Sequence, residues 1–154
     1  MKKGFTIVVF LVVVFLIHLV NDVAKRHGVV WYESLHLPVW APTVTGLTRI
    51  WAAMFIFKTV AGALLWVAHK AKARTLALEL WFAHLALDSL WHFLFFYLHD
   101  LFFTSVTFGV LILAIALLLY VSKKVDKAAF CLLIPYEIWL VYALALNIAL
   151  LAMN

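Results

Sequence analysis

The sequence predicts an all-α integral membrane protein, a bundle of five transmembrane helices with a long first extramembrane loop. Three observations carry that expectation. Of 154 residues, 68% are hydrophobic and 12% charged, whereas a soluble domain needs about a quarter charged residues to cover its surface. The few charges punctuate apolar runs long enough to cross a hydrocarbon core as helix. The runs are continuously apolar, without the residue-by-residue alternation of membrane β-barrel strands. Five Gly, three Pro and the single Cys131 also exclude collagen, low-complexity disorder and a disulfide scaffold.

The elements follow in order. Residues 4–21 carry no charge between Lys3 and Asp22, and residues 101–122 carry none between Asp100 and Lys123. Three further stretches each hold one ionisable residue: Lys58, Asp88 and Glu137. Helices are therefore expected at about 4–23, 47–69, 76–98, 101–121 and 128–152, in one membrane domain covering 1–154. A loop of about 24–46 would lie over the bundle as a lid. The first run is too long for a signal-peptide core, and Asn21-Asp22 offers no small-residue cleavage site, so it reads as a retained helix.

Orientation follows from Lys and Arg. The N-terminus, the second loop and the fourth loop carry eight of them, and the opposite side carries Lys25, Arg26 and Arg49. The positive-inside rule then puts the N-terminus in the cytoplasm and the C-terminus outside. The net charge of +5 reads as topology and contact with anionic lipid rather than as a nucleic-acid footprint.

The long first connection holds Trp31, Tyr32, Pro38, Trp40 and Pro42. On composition alone, an interfacial aromatic belt and a binding lid are both open. The residues themselves add a resemblance. Trp31-Tyr32-Glu33-Ser34-Leu35-His36-Leu37-Pro38-Val39-Trp40-Ala41-Pro42, with Trp51 beyond it, is similar to the signature of the tryptophan-rich sensory protein and translocator protein (TspO) family. Leu85-Ala86-Leu87-Asp88-Ser89-Leu90-Trp91 followed by Leu94-Phe95-Phe96 resembles that family's third helix. Asp126 to Ala129, Leu132-Leu133-Ile134-Pro135-Tyr136-Glu137-Ile138-Trp139, Leu146-Asn147 and Asn154 resemble its fifth.

The resemblance, to a prokaryotic-type member, implies a five-helix bundle, commonly a homodimer, with a pocket roofed by the first loop. It implies binding, sensing or transport of tetrapyrroles such as protoporphyrin IX and haem, as ligands rather than required cofactors. Carried over position by position, the pocket would be lined by Tyr32, Pro42, Trp51, Phe55, His84, Asp88, Trp91, Trp139, Ala143, Leu146 and Asn147. Within each helix these positions recur every three or four residues and so share a face. Ordinary helix packing uses the same spacing, but it does not account for His, Asp and Asn in the stripes. Lys58, seven residues after Trp51, falls on that face too and could pair with Asp88 or meet a ligand carboxylate, as could Arg49.

The chain also departs from the family pattern. Thr43 stands where a second proline is usual, His84 and Asp88 where glutamine and asparagine are usual, and Phe93 where proline is frequent. No basic residue follows Tyr142, so the sterol-associated pattern of eukaryotic members is missing. His84, Asp88 and His92 form one stripe, but a straight helix cannot wrap three ligands about one ion, since the outer two are ~12 Å apart along the axis. No dedicated metal site is expected. His84 could serve as an axial ligand to haem iron or as an interhelical hydrogen-bond partner. Two other readings stay open: an enzyme of light- and oxygen-dependent porphyrin degradation using Trp51 and Trp139, and a structural membrane subunit without a ligand.

Overall fold

The computed structural model describes residues 3–69 and 71–154; the topology charges of Lys2 and Lys70 lie outside the described residues. Five α-helices follow one another: α1 Lys3–Ser34, α2 Val44–Val67, α3 Ala71–His92, α4 Leu101–Val125 and α5 Lys127–Met153. A five-residue π-helical segment, Phe93–Tyr97, continues α3. Four of the helices, all but α3, are long and apolar enough to cross a membrane by length and composition. α3 falls short on composition because it carries Arg74, Glu79 and Asp88, yet Asp88 is fully buried inside the bundle. The molecule is an all-α membrane protein.

Neighbouring helices form a closed ring in the order α1, α2, α5, α4, α3, and the π-helical segment closes it against α1. α4 and α5 make the tightest pair. Leu111, Ile115 and Leu118 on α4 and Leu133, Tyr136 and Leu140 on α5 are fully buried, each set falling on one stripe by three- and four-residue steps. The outward face of every helix exposes large apolar side chains. This is inverted relative to a soluble protein and suits a lipid solvent. α1 is the most peripheral element, presenting Phe5, Val8, Val12, Leu16, Val20 and Val23 outward.

The ends are set by side chains. Thr43 Oγ1 accepts from Gly46 N at 3.1 Å and so caps α2, Asp100 Oδ1 accepts from Phe103 N at 2.8 Å to cap α4, and Asp126 Oδ1 accepts from Ala129 N at 2.8 Å to cap α5. Thr43, standing where a second proline is usual, therefore has a structural role of its own. His99 turns the chain from the π-helical segment into α4 with a positive φ of 56°, and its ring stacks on Trp31 at 4.3 Å.

Two boundaries differ from expectation. α1 does not stop near residue 23; it runs on to Ser34, because residues 24–34 contain no proline and Gly28 alone does not break a helix. The connection to α2 is correspondingly residues 35–43 rather than 24–46, and it remains the longest among the described residues. It is tied down rather than free. His36 N donates to Asn154 Oδ1 at 2.8 Å, and Asn154 Nδ2 returns a bond to the His36 carbonyl at 3.3 Å. Tyr142 OH donates to the Trp40 carbonyl at 2.8 Å. The end of α5 thus anchors the loop over the bundle.

Candidate functional site

The bundle encloses a cavity of about 400 Å³ in its half nearest the first loop, lined from α1, α2, the end of α3, the π-helical segment, α4 and α5. Its walls are mainly apolar and rich in aromatic rings. Trp51 stacks on Trp91 with centroids 5.0 Å apart and meets Trp139 edge-on at 5.7 Å, while Trp91 packs against Phe108 at 5.1 Å. Phe55, Phe95 and Phe96 complete that surface. The π-helical segment matters here: its wider turn, with Leu98 N bonded to the Phe93 carbonyl, sets both Phe95 and Phe96 into the wall.

Of the residues expected at the site, Tyr32, Trp51, Phe55, Trp91, Trp139, Ala143, Leu146 and Asn147 line this cavity. Pro42, Lys58, His84 and Asp88 do not. Pro42 belongs to the roof, where its carbonyl accepts from Tyr32 OH at 3.3 Å. Lys58 and Asp88 form a buried ion pair beyond the cavity toward the opposite end of the bundle, with Nζ 2.6 Å from Oδ2 and both side chains fully buried.

That pair is closed within the protein. Asp88 Oδ1 accepts from Trp91 Nε1 at 3.1 Å and from Tyr136 OH at 3.3 Å, Lys58 Nζ stands 5.5 Å from the Tyr136 ring centroid, and Trp81 Nε1 donates to the Lys58 carbonyl at 2.9 Å. The charges therefore neutralise each other at membrane depth and couple α2, α3 and α5. Trp91 belongs to both systems, giving its ring to the cavity and its indole N–H to the ion pair.

His84 lies one further turn of α3 away from the cavity, fully buried against Trp81 and Tyr136, with neither ring nitrogen hydrogen-bonded. Spacing gave its face correctly and its depth wrongly. It is neither a cavity residue nor an interhelical hydrogen-bond partner. Asn147 takes the stapling role instead: its Nδ2 donates to the Leu101 carbonyl and to Ser105 Oγ, both at 2.7 Å, joining α5 to α4. Glu137 sits half-buried on α5 with Oε2 unbonded. No group of three His, Cys, Asp or Glu side chains suited to a metal ion occurs among the described residues.

The structure adds cavity residues that sequence reasoning missed: His18, Asn21, Asp22 and Lys25 on α1, and His92 on α3. His92 Nδ1 donates to the Asp88 carbonyl at 2.7 Å. The α1 residues had a signal, four polar positions on one helical face after a purely apolar run. Ending α1 near residue 23 left Lys25 off the helix, so the stripe was cut short.

A five-helix membrane bundle with an apolar, aromatic-rich cavity beneath a tethered loop defines the architectural class, and the family to which the chain belongs makes it a membrane sensing or binding protein. The chain matches the TspO/MBR family over residues 6–153 and belongs to it. It is 28% identical to the tryptophan-rich protein TspO of Bacillus cereus, covering all of this chain and 99% of that one. It is 30% identical to the membrane protein YtaB of Bacillus subtilis over 80% of both chains. With the translocator protein of Ovis aries it shares 30% identity over 80% of this chain and 74% of the other.

Proposed function

We propose that the protein binds tetrapyrroles such as protoporphyrin IX and haem, and similarly flat apolar ligands, in the cavity beneath the first loop, for sensing or transport. The observation that carries this reading is the stacked Trp51–Trp91 pair with Trp139 edge-on to it. These large rings, on three different helices, border open volume rather than being spent wholly on packing. A planar π-ligand gains both area burial and ring–ring contact there, and the volume falls within the range of small-molecule sites. For a metallated ligand, the histidines placed to meet the metal are those that line the cavity, His18, whose Nε2 has no partner, and His92, whose Nδ1 is bonded to the Asp88 carbonyl; His84 is not among them.

The protein acts in the plasma membrane of a prokaryote with its N-terminus in the cytoplasm, as the Lys and Arg asymmetry supports. It works as a homodimer. Ala83, Ala86 and Ala145 face outward, so these small residues are free of packing inside one bundle and permit close approach of a second copy.

The test is absorbance and fluorescence titration of the purified protein with protoporphyrin IX in darkness and then under illumination. Saturable binding in the dark supports the reading, and absence of binding refutes it. Ligand breakdown that needs light, oxygen and both Trp51 and Trp139 would favour the enzymatic alternative.

A further inference from the structure

One face of α1 brings polar groups to an otherwise apolar cavity. His18, Asn21, Asp22 and Lys25 stand at i, i+3, i+4 and i+7, so they share a stripe, and all four line the cavity. Asn21 is 5% exposed, and its Nδ2 has no hydrogen-bond partner; nor has His18 Nε2. A buried donor without a partner is uncommon and calls for a reason.

The charges on this stripe are unequal in their compensation. Asp22 is met by Arg26, with Oδ2 2.9 Å from Nε. Lys25 has no carboxylate within ion-pair distance among the described residues; its Nζ donates to Thr48 Oγ1 at 3.0 Å, and Thr48 is itself a cavity residue on α2. An ammonium has three donors, so the Thr48 bond leaves two for another acceptor. The opposite wall has no such group. Among the cavity-lining residues of α5 the unpartnered polar atoms are Trp139 Nε1 and Asn147 Oδ1, a neutral donor and a neutral acceptor, and the nearby Lys58 is already consumed by Asp88. The cavity is therefore polarised, with one uncompensated cation and an adjacent buried amide donor on the α1 side and neutral aromatic surface elsewhere.

We propose that this stripe reads a carboxylate: the ligand is an anionic planar molecule whose acid group sits at the α1–α2 seam, held by Lys25 Nζ and Asn21 Nδ2, with its ring system against Trp51, Trp91 and Trp139. The inference rests on the cavity being the ligand site proposed above and adds the ligand's charge, its orientation and the residues that select it. A charge-assisted contact is roughly twice as strong as a neutral one and so discriminates between an acid and its neutral isostere.

The test compares protoporphyrin IX, which carries two carboxylates, with its dimethyl ester, which keeps the ring and masks the charge. Both are titrated against the full chain in lipid nanodiscs, for the native protein and for Lys25→Met, Lys25→Arg and Asn21→Leu. The quantity read is the acid-to-ester affinity ratio of each variant relative to native, which cancels lipid partitioning. Lys25→Met is expected to lower that ratio on the order of tenfold by weakening the acid alone; Lys25→Arg retains it, and Asn21→Leu lowers it less. Raising the salt concentration should weaken only the acid. If Lys25→Met leaves the ratio unchanged, or weakens acid and ester alike, the carboxylate assignment is overturned while the tetrapyrrole reading stands. If neither compound binds native protein, that reading fails and this one with it.

Discussion

An ammonium or a carboxylate at membrane depth is costly alone, and the way Lys58 and Asp88 meet sets the chemistry around them. With both side chains fully buried and 2.6 Å apart, each is the other's solvent. Removing one partner leaves an uncompensated charge, so Lys58→Met or Asp88→Asn alone should cost about 3–5 kcal/mol. The double variant should lose clearly less than the sum, read as a double-mutant cycle on unfolding in detergent; strict additivity would show that the pair carries no coupling. The cavity tryptophans should behave differently. Trp51→Phe and Trp139→Phe keep an apolar ring, so helicity should hold while protoporphyrin affinity falls by about 0.5–1.5 kcal/mol each, the usual worth of an aromatic contact; unchanged titrations would make both residues mere packing. The sequence made the tryptophan stripes legible, because three- and four-residue spacing determines a helical face. It did not make depth legible. His84 and Asp88 share a face with Trp91, yet each step along α3 leads further from the cavity, and only the positions of α2 and α5 decide where the cavity stops.

Among the elements, α1 departed furthest from its expected form. Its apolar run ends at Val20, and the polar stretch from residue 24 on, with Lys25 and Arg26, looks like a loop when read by hydropathy. It is instead part of a helix that continues to Ser34, and Lys25 extends the cavity-facing stripe begun by His18, Asn21 and Asp22. Gly28 explains why this part of α1 can sit so close to its neighbour: a Cβ there would collide with the Phe96 backbone, which cannot swing aside as a side chain can. Gly28→Ala should therefore lower stability by about 1–3 kcal/mol, as overpacking does. Gly109→Ala on α4, where a Cβ would meet nothing within 4 Å, should be neutral or stabilising by roughly 0.5–1 kcal/mol. Thermal unfolding of the two variants side by side checks this, and equal destabilisation would remove the close contact as a constraint. The loop's attachment is likewise an element-scale feature. Asn154, the last residue of the chain, bonds His36 across the bundle, and sequence spacing gives no hint of such a long-range contact.

At the scale of the whole molecule, five helices were legible because charges interrupt an otherwise apolar chain, but their ring order was not, since apolar runs look alike on every side. The closed ring leaves lipid-facing surface all round, with the small residues Ala83, Ala86 and Ala145 outside the core. Crosslinking in native membranes should yield dimers; a monomer alone would remove the homodimer. The central claim is that a flat ligand occupies the cavity inside this ring, and filling the cavity tests it most directly. Ala143 lines the cavity from α5 and is only 8% exposed, so Ala143→Phe puts a ring into the proposed ligand volume, whereas Ile138→Phe, at a position 66% exposed on the same helix, adds bulk toward lipid. In dark titrations with protoporphyrin IX, Ala143→Phe should lose affinity by at least about tenfold, a change of roughly 1.4 kcal/mol, with helicity retained, and Ile138→Phe should match the native protein. Native-like binding by a folded Ala143→Phe variant would contradict the account, because the ligand would then lie somewhere other than in the cavity.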